Sequence, residues 1–224
     1  MKKTLFALCF FVQISFGQSK TIQLPPYYQT WYGLTKENIQ QAGLKDLTTA
    51  IEPVHFRFWT ETQAVDIWTT DNKTFQGKLV YYTRTYTKEK DNDLYQPEKP
   101  GKFYSKLTEM DTVTARKIYQ YAYQQQLFQI PSEDSIKGWH DGNDGITYFV
   151  EYSTPSFYSF KEYWTPEDQE VKEAAIIVNV LQYLKRTLNL DKEWEAFVET
   201  LPKGCYHAGS ILLKCTDTGT EGHK

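Results

Sequence analysis

The chain has 224 residues and a formal net charge of −3, from 25 Lys and Arg against 28 Asp and Glu. Its length suits one domain, and its acidic balance argues against nucleic acid and against an anionic membrane surface as partners. The hydrophobic share, 40%, is modest, but aromatic residues make up 16% of the chain, so the core should rest on Tyr, Phe and Trp more than on Leu and Ile.

Met1-Lys2-Lys3 precedes a short apolar run, Thr4 to Val12, and then Ser15-Phe16-Gly17-Gln18. A basic start, a brief apolar stretch and a small residue near its end read as a secretory signal peptide over residues 1–18. The run is too short to span a bilayer, and Cys9 has too few apolar residues before it for a lipid anchor. Cleavage removes Lys2 and Lys3, which takes the net charge from −3 to −5. The mature protein is expected to be periplasmic or extracellular, with no membrane span.

Leu24-Pro25-Pro26 is an extended lead-in. Thr35 to Ala50 carries a weak helical signal in Ile39, Ala42, Leu44 and Leu47, interrupted by Gly43. From Val54 the period changes to two: Val54, Phe56 and Phe58 alternate with His55, Arg57 and Trp59, which predicts a half-buried strand. Val65 to Trp68 is a second strand. After the turn Asp71-Asn72-Lys73, Phe75 to Tyr86 is a long third, with Gly77 as a bulge. Residues 88–93 are a charge run of mixed sign, read as a solvated loop, and Phe103 to Leu107 returns to the sheet. Asp111 or Thr112 caps a helix that buries Ala115, Ile118, Tyr119, Ala122 and Leu127 and ends before Pro131.

Residues 138–166 are the most strongly specified stretch. A turn rich in Gly and Asp leads to an aromatic strand, Ile146 to Tyr152, then Ser153-Thr154-Pro155-Ser156, then a second aromatic strand, Phe157 to Trp164. Pairing Tyr152 with Phe157 puts Ile146, Tyr148, Val150, Ser159, Lys161 and Tyr163 on the face expected to meet helices. Thr147, Phe149, Glu151, Tyr158, Phe160, Glu162 and Trp164 fall on the other. Thr165 as N-cap and Pro166 at the first helical position then open a helix with the stripe Val171, Ala174, Ile177, Val178, Leu181, Leu184 and Leu188. A shorter helix over Lys192 to Leu201 packs Trp194, Phe197 and Val198. Of three cysteines, Cys205 and Cys215 survive processing, and an even pair in an exported chain reads as a disulfide, two free thiols being the alternative.

This order of elements predicts an α+β fold: a single domain over 19–206, mainly an antiparallel sheet with two or three helices packed on one face. Residues 207–224 are a polar C-terminal tail. Arg57-Phe58-Trp59, Gly77 to Tyr82, Ile130 to Asp134, Gly138-Trp139, Asp144 to Tyr148, Glu151-Tyr152, Tyr158 to Lys161, Tyr163 to Pro166 and Leu201 to Tyr206 resemble a group of uncharacterised secreted bacterial proteins. The resemblance covers most of the mature chain. It implies one domain ending near Tyr206 and carries neither an activity nor a site residue.

No catalytic signature stands out. His140, Asp141 and Asp144 fail the calcium-loop pattern, because Gly145 falls where a ligand is needed, and a turn before a strand explains them. Cys205 and Cys215 lack the spacing and histidines of a zinc site. No metal or cofactor is expected. Glu151 and Glu162 invite a glycosidase reading, but the pairing above sets them about 13 Å apart at ~3.3 Å per residue, beyond the roughly 5–9.5 Å such pairs use. Glu162 is expected to bridge to Lys161 or Arg84 instead. Neither a nucleophile elbow nor a Cys–His arrangement is present, and Gly209-Ser210 is far from a strand-to-helix turn. His55 and Arg57 are placed on the outward side of their strand. What remains is an aromatic surface of Trp59, Trp68, Phe149, Tyr158, Phe160 and Trp164, unless the N-terminal segment or a second layer covers it. These residues favour a non-catalytic binding or interaction protein, for an envelope protein or a glycan, over a secreted hydrolase acting on glycan or peptide.

Overall fold

The computed structural model of the chain describes residues 19–26, 29–86, 101–142, 144–209 and 213–216. The signal-peptide segment 1–18, the charge run at 88–93, Ser210 and the end of the tail, 217–224, lie outside the described residues.

Seven strands form one sheet: β1 (Thr21–Gln23), β2 (Val54–Trp59), β3 (Gln63–Thr69), β4 (Phe75–Arg84), β5 (Phe103–Met110), β6 (Thr147–Ser153) and β7 (Phe157–Trp164), the central ones rich in branched and aromatic side chains. Their spatial order is β1-β7-β6-β2-β3-β4-β5. Every pairing is antiparallel except β1, which adds parallel to β7. The described helices are α1 (Gln29–Gln41), α2 (Thr112–Gln124), α3 (Lys172–Leu188) and α4 (Leu190–Glu199). The α+β class and the mainly antiparallel sheet are therefore as expected. A second hairpin, β8 (Gly204–His207) with β9 (Leu213–Thr216), pairs Cys205 with Cys215, and the two form a disulfide. It carries ordered chain past residue 206.

Three local expectations change. Thr165 does not cap a helix: it is left-handed at φ 41°, and its hydroxyl accepts from the Ile146 N–H. Only a 3₁₀ turn, Pro166–Asp168, follows, and α3 begins at Lys172, six residues after Pro166. Gly77 is not a bulge, because it pairs in register with Ile67 and Met110. A Cβ there would meet Ala115 Cβ and Met110 Sδ, each at 3.1 Å, so this glycine lets α2 lie close on β4. In the β6–β7 hairpin Tyr152 faces Ser159, not Phe157. Pro155 sits at the first central position of the tight turn closed by Thr154 N–H to Phe157 O, a position its fixed φ suits. The shift is two residues, so every side chain keeps its predicted face.

The face with Phe56, Phe58, Val65, Ile67, Leu79, Tyr81, Tyr148, Val150 and Tyr163 forms the main core with Ala115, Ile118 and Ala122 of α2, Ile177, Val180, Leu181 and Leu184 of α3, and Trp194, Phe197 and Val198 of α4. The other face is also covered. Ile39 of α1 packs with Trp59, Ala64, Val80 and Tyr82, while Leu47 and Ala50 pack with Tyr158 and Phe160. Helical cover thus reaches both faces, since a two-sided aromatic sheet would otherwise leave one side in water. Ile146, expected against the helices, precedes β6 and is 40% exposed.

Candidate functional site

On the α1 side the strand registers line up residues in transverse rows. One row reads Lys78, Asp66, Arg57, Glu151 and Phe160 across β4, β3, β2, β6 and β7. Its charges alternate, which is why a buried row of them is tolerated. Arg57, fully buried, donates from Nε to Asp66 Oδ1 at 2.8 Å and from Nη1 to Glu151 Oε2 at 3.0 Å. Its Nη2 donates to the Lys45 carbonyl. Glu151 also accepts from Trp59 Nε1 at 2.7 Å and from the Tyr158 hydroxyl at 2.9 Å. Burial works against the charge on Asp66, but Arg57 and His55 outweigh it and hold the carboxyl down to about 2.

This network corrects several sequence readings. His55 and Arg57 do not face solvent; both are buried, and His55 Nε2 lies 3.0 Å from Asp66 Oδ1. Trp59, Tyr158 and Phe160 are each 1% exposed, so they cannot form an open platform. Trp68 is half-buried beside His55, with the Lys78 ammonium 5.5 Å from its ring centre. The new register places Glu162 opposite Phe149, two residues from Glu151 and not four. Distance therefore no longer separates that carboxylate pair. Engagement does: both Glu151 oxygens are already bonded below the covering segment. Glu162 bridges to neither predicted partner. Arg84 pairs with Glu37 of α1 at 3.0 Å, and Lys161 points to the opposite face, where it donates to the Phe128 carbonyl.

The next row toward the sheet end reads Val80, Ala64, Trp59, Phe149 and Glu162. Here α1 leaves part of the face open, and a cleft of about 810 Å³ results. Its floor and walls take Trp59, Tyr82, Phe149, Glu162 and Trp164 from the sheet and Leu34 from α1. Arg84, Glu133 and the loop of Asp141, Gly142, Asp144 and Gly145 complete the rim. The glycines matter for shape. A Cβ on Gly142 would run into the Trp164 indole, and one on Gly145 into Thr165 and Trp164. Without side chains there, the loop lies against the tryptophan.

Glu133 reaches the cleft because residues 132–133 run along the part of β7 that β1 leaves unpaired. Ser132 Oγ accepts the Glu162 N–H at 3.0 Å, and Glu133 Oε2 accepts the Trp164 N–H. Burial, opposed by that N–H and reinforced by Glu162, Asp141 and Asp134, pushes the Glu133 carboxyl up to about 7. Burial beside Asp134 and Asp141 raises Glu162 as well, and its Oε2 is shielded from water with no hydrogen-bond partner.

Of the aromatic candidates, Phe149, Trp164 and the nearly buried Trp59 line this cleft; Trp68, Tyr158 and Phe160 do not. Sequence reading missed Glu133, Asp134, Tyr82 and Leu34. Ser132-Glu133-Asp134, a polar cluster directly after Pro131, was the one available signal, and nothing local shows that it docks on β7. Cys205 and Cys215 lie in the β8–β9 hairpin rather than in the cleft lining. Among the described residues no group of three or more His, Cys, Asp or Glu converges to hold a metal, and no helix is long and apolar enough to cross a membrane. No protein-family model matches the chain, and neither a curated protein nor a solved structure matches it.

Proposed function

We propose that this is an exported, non-catalytic binding protein whose ligand sits in the cleft between α1, the ends of β2, β4, β6 and β7, and the loop residues Asp141, Gly142, Asp144 and Gly145. One observation carries the reading: half-buried Phe149 and Trp164 and carboxylates meet in a recess of about 810 Å³, within the range of roughly 300–1,000 Å³ typical of ligand sites. The Cys205–Cys215 disulfide and the signal-like start support export. The site is narrower than an aromatic platform, because the covering segment takes half of the aromatics. A thermal-shift screen against glycan fragments, short peptides and amines tests it. Ligands that raise the melting temperature of the wild type should lose that effect in Trp164→Ala. Equal stabilisation of both proteins would place binding elsewhere and sink the proposal.

A hydrolase is the second reading, favoured by Glu133. A carboxyl held near 7, beside Glu162 in an aromatic recess, has the proton affinity of a general acid. Release of chromophore from aryl glycosides or peptide anilides, lost in Glu133→Gln, would favour hydrolysis over binding alone.

A further inference from the structure

Resting on the cleft as the binding site, we infer that its ligand carries a primary ammonium group on an alkyl arm, as a polyamine or a lysine side chain does. The first ground is charge balance within the recess. Glu133, Asp134, Asp141 and Glu162 gather at its β7 side, and none of the four has a cationic partner among the described residues. The arginine of the lining, Arg84, is committed to Glu37 across the cleft and lies over the Phe103 ring.

The second ground is a polar atom aimed at nothing. Glu162 Oε2 is shielded from water and accepts no hydrogen bond. Water cannot reach that oxygen as it stands, so a ligand donor meets it only when the Glu162 side chain turns toward the open cleft, and such a turn would recover the free energy that an unpaired buried acceptor costs. A neutral sugar could donate a hydroxyl there, but would leave the neighbouring carboxylates without a counter-charge. An ammonium brings three donors and the charge together.

The third ground is the wall. Trp164, Phe149 and Tyr82 present aromatic surface, and Leu34 is 48% exposed on the α1 side. Aromatic faces attract a cation within about 6 Å, and an alkyl arm can lie along the apolar part while its head meets the carboxylates. A bare divalent ion fits less well, because the carboxylates do not converge on one point.

Isothermal titration of the folded mature chain with four probes tests the inference: tri-lysine, tri-lysine acetylated at every Nε, spermidine and cellotetraose. The expected result is that tri-lysine and spermidine bind at least tenfold more tightly than the acetylated peptide. Glu162→Gln and Glu133→Gln, nearly isosteric, should each weaken that binding at least fivefold. Glu173→Gln, on α3 beneath the other face, should leave it unchanged. If cellotetraose or the acetylated peptide binds as tightly, and Trp164→Ala abolishes it, the cleft stands but the ammonium inference is overturned. If Glu173→Gln weakens binding as much as Glu162→Gln, the attraction is diffuse and the inference also falls. Binding of any probe that is indifferent to Trp164→Ala overturns the inference and the cleft reading together, as does the absence of any binding.

Discussion

Burial moves two ionisable side chains of β7 and its neighbour toward their neutral forms from opposite directions. Lys161, on the helix side, is lowered to about 8, while Glu133 is raised to about 7 from 4.5. The folded chain binds a proton at Glu133 more tightly than the unfolded chain does. That contribution to stability is fully present below about 4.5 and is lost as pH rises through about 7. Glu162, with Asp134 and Asp141 facing it, shifts in the same direction, so some slope should survive without Glu133. We expect Glu133→Gln to melt progressively higher relative to wild type between pH 4.5 and 7.5, as wild type acquires a buried charge that glutamine lacks. Thermal melts across that window check it. Parallel curves for the two proteins would show that Glu133 ionises freely in the folded state.

At the scale of elements, the β6–β7 hairpin is the hinge between two layers. Its Val150 is completely buried against the helical core, and its Phe149 stacks on Phe160 at 5.3 Å beneath the covering segment. That ring contact is diagonal, since Phe149 faces Glu162 and Glu151 faces Phe160 in the register. Leu181 of α3, 2% exposed, belongs to the same core as Val150. Leu181→Ala should cost about 2–5 kcal/mol, the range for a large core side chain truncated without collapse. Val150→Ala should cost less, because fewer atoms are removed. Ile146→Ala should stay within about 0.5 kcal/mol, since it lies outside the strand and is 40% exposed. Urea denaturation of the three variants orders them. An Ile146 effect as large as that of Leu181 would mean that the face assignment fails at the start of β6.

For the molecule as a whole, the C-terminal hairpin is part of the packed body. Tyr206 is 1% exposed, the Tyr86 N–H donates to the Cys205 carbonyl, and the Thr83 hydroxyl donates to the His207 carbonyl. The disulfide therefore ties β9 to a strand, β8, that is already docked on the end of β4. Replacing both Cys205 and Cys215 with Ser should lower stability by roughly 2.5–3 kcal/mol in the chain-entropy account. Denaturant melts with and without a reductant check this. Wild type under reduction should resemble the double variant, whereas two free thiols would make the reductant irrelevant.

The amino-acid sequence by itself determined six of the strands and the faces of the β6–β7 hairpin, because the period-two pattern in Val54 to Trp59 and Ile146 to Trp164 follows from strand geometry alone, but it did not mark β1, β8 or β9. It determined α2, because Asp111 caps it through bonds within three residues of itself. It also named Trp59, Phe149, Glu162 and Trp164, four of the cleft's residues. Exposure was not legible, since whether His55, Arg57 and Tyr158 meet water depends on α1 and residues 44–50 folding back over them. The hairpin register escaped because a shift of two residues leaves the hydrophobic pattern unchanged, so only the turn at Pro155 could select it. The start of α3 escaped for a related reason: Thr165-Pro166-Glu167-Asp168 suits a helix start locally, but the Thr165 hydroxyl is taken by Ile146 across the hairpin. The cleft itself belongs wholly to the tertiary structure. It gathers α1, four strand ends, Glu133 and a glycine-rich loop from positions far apart in the chain.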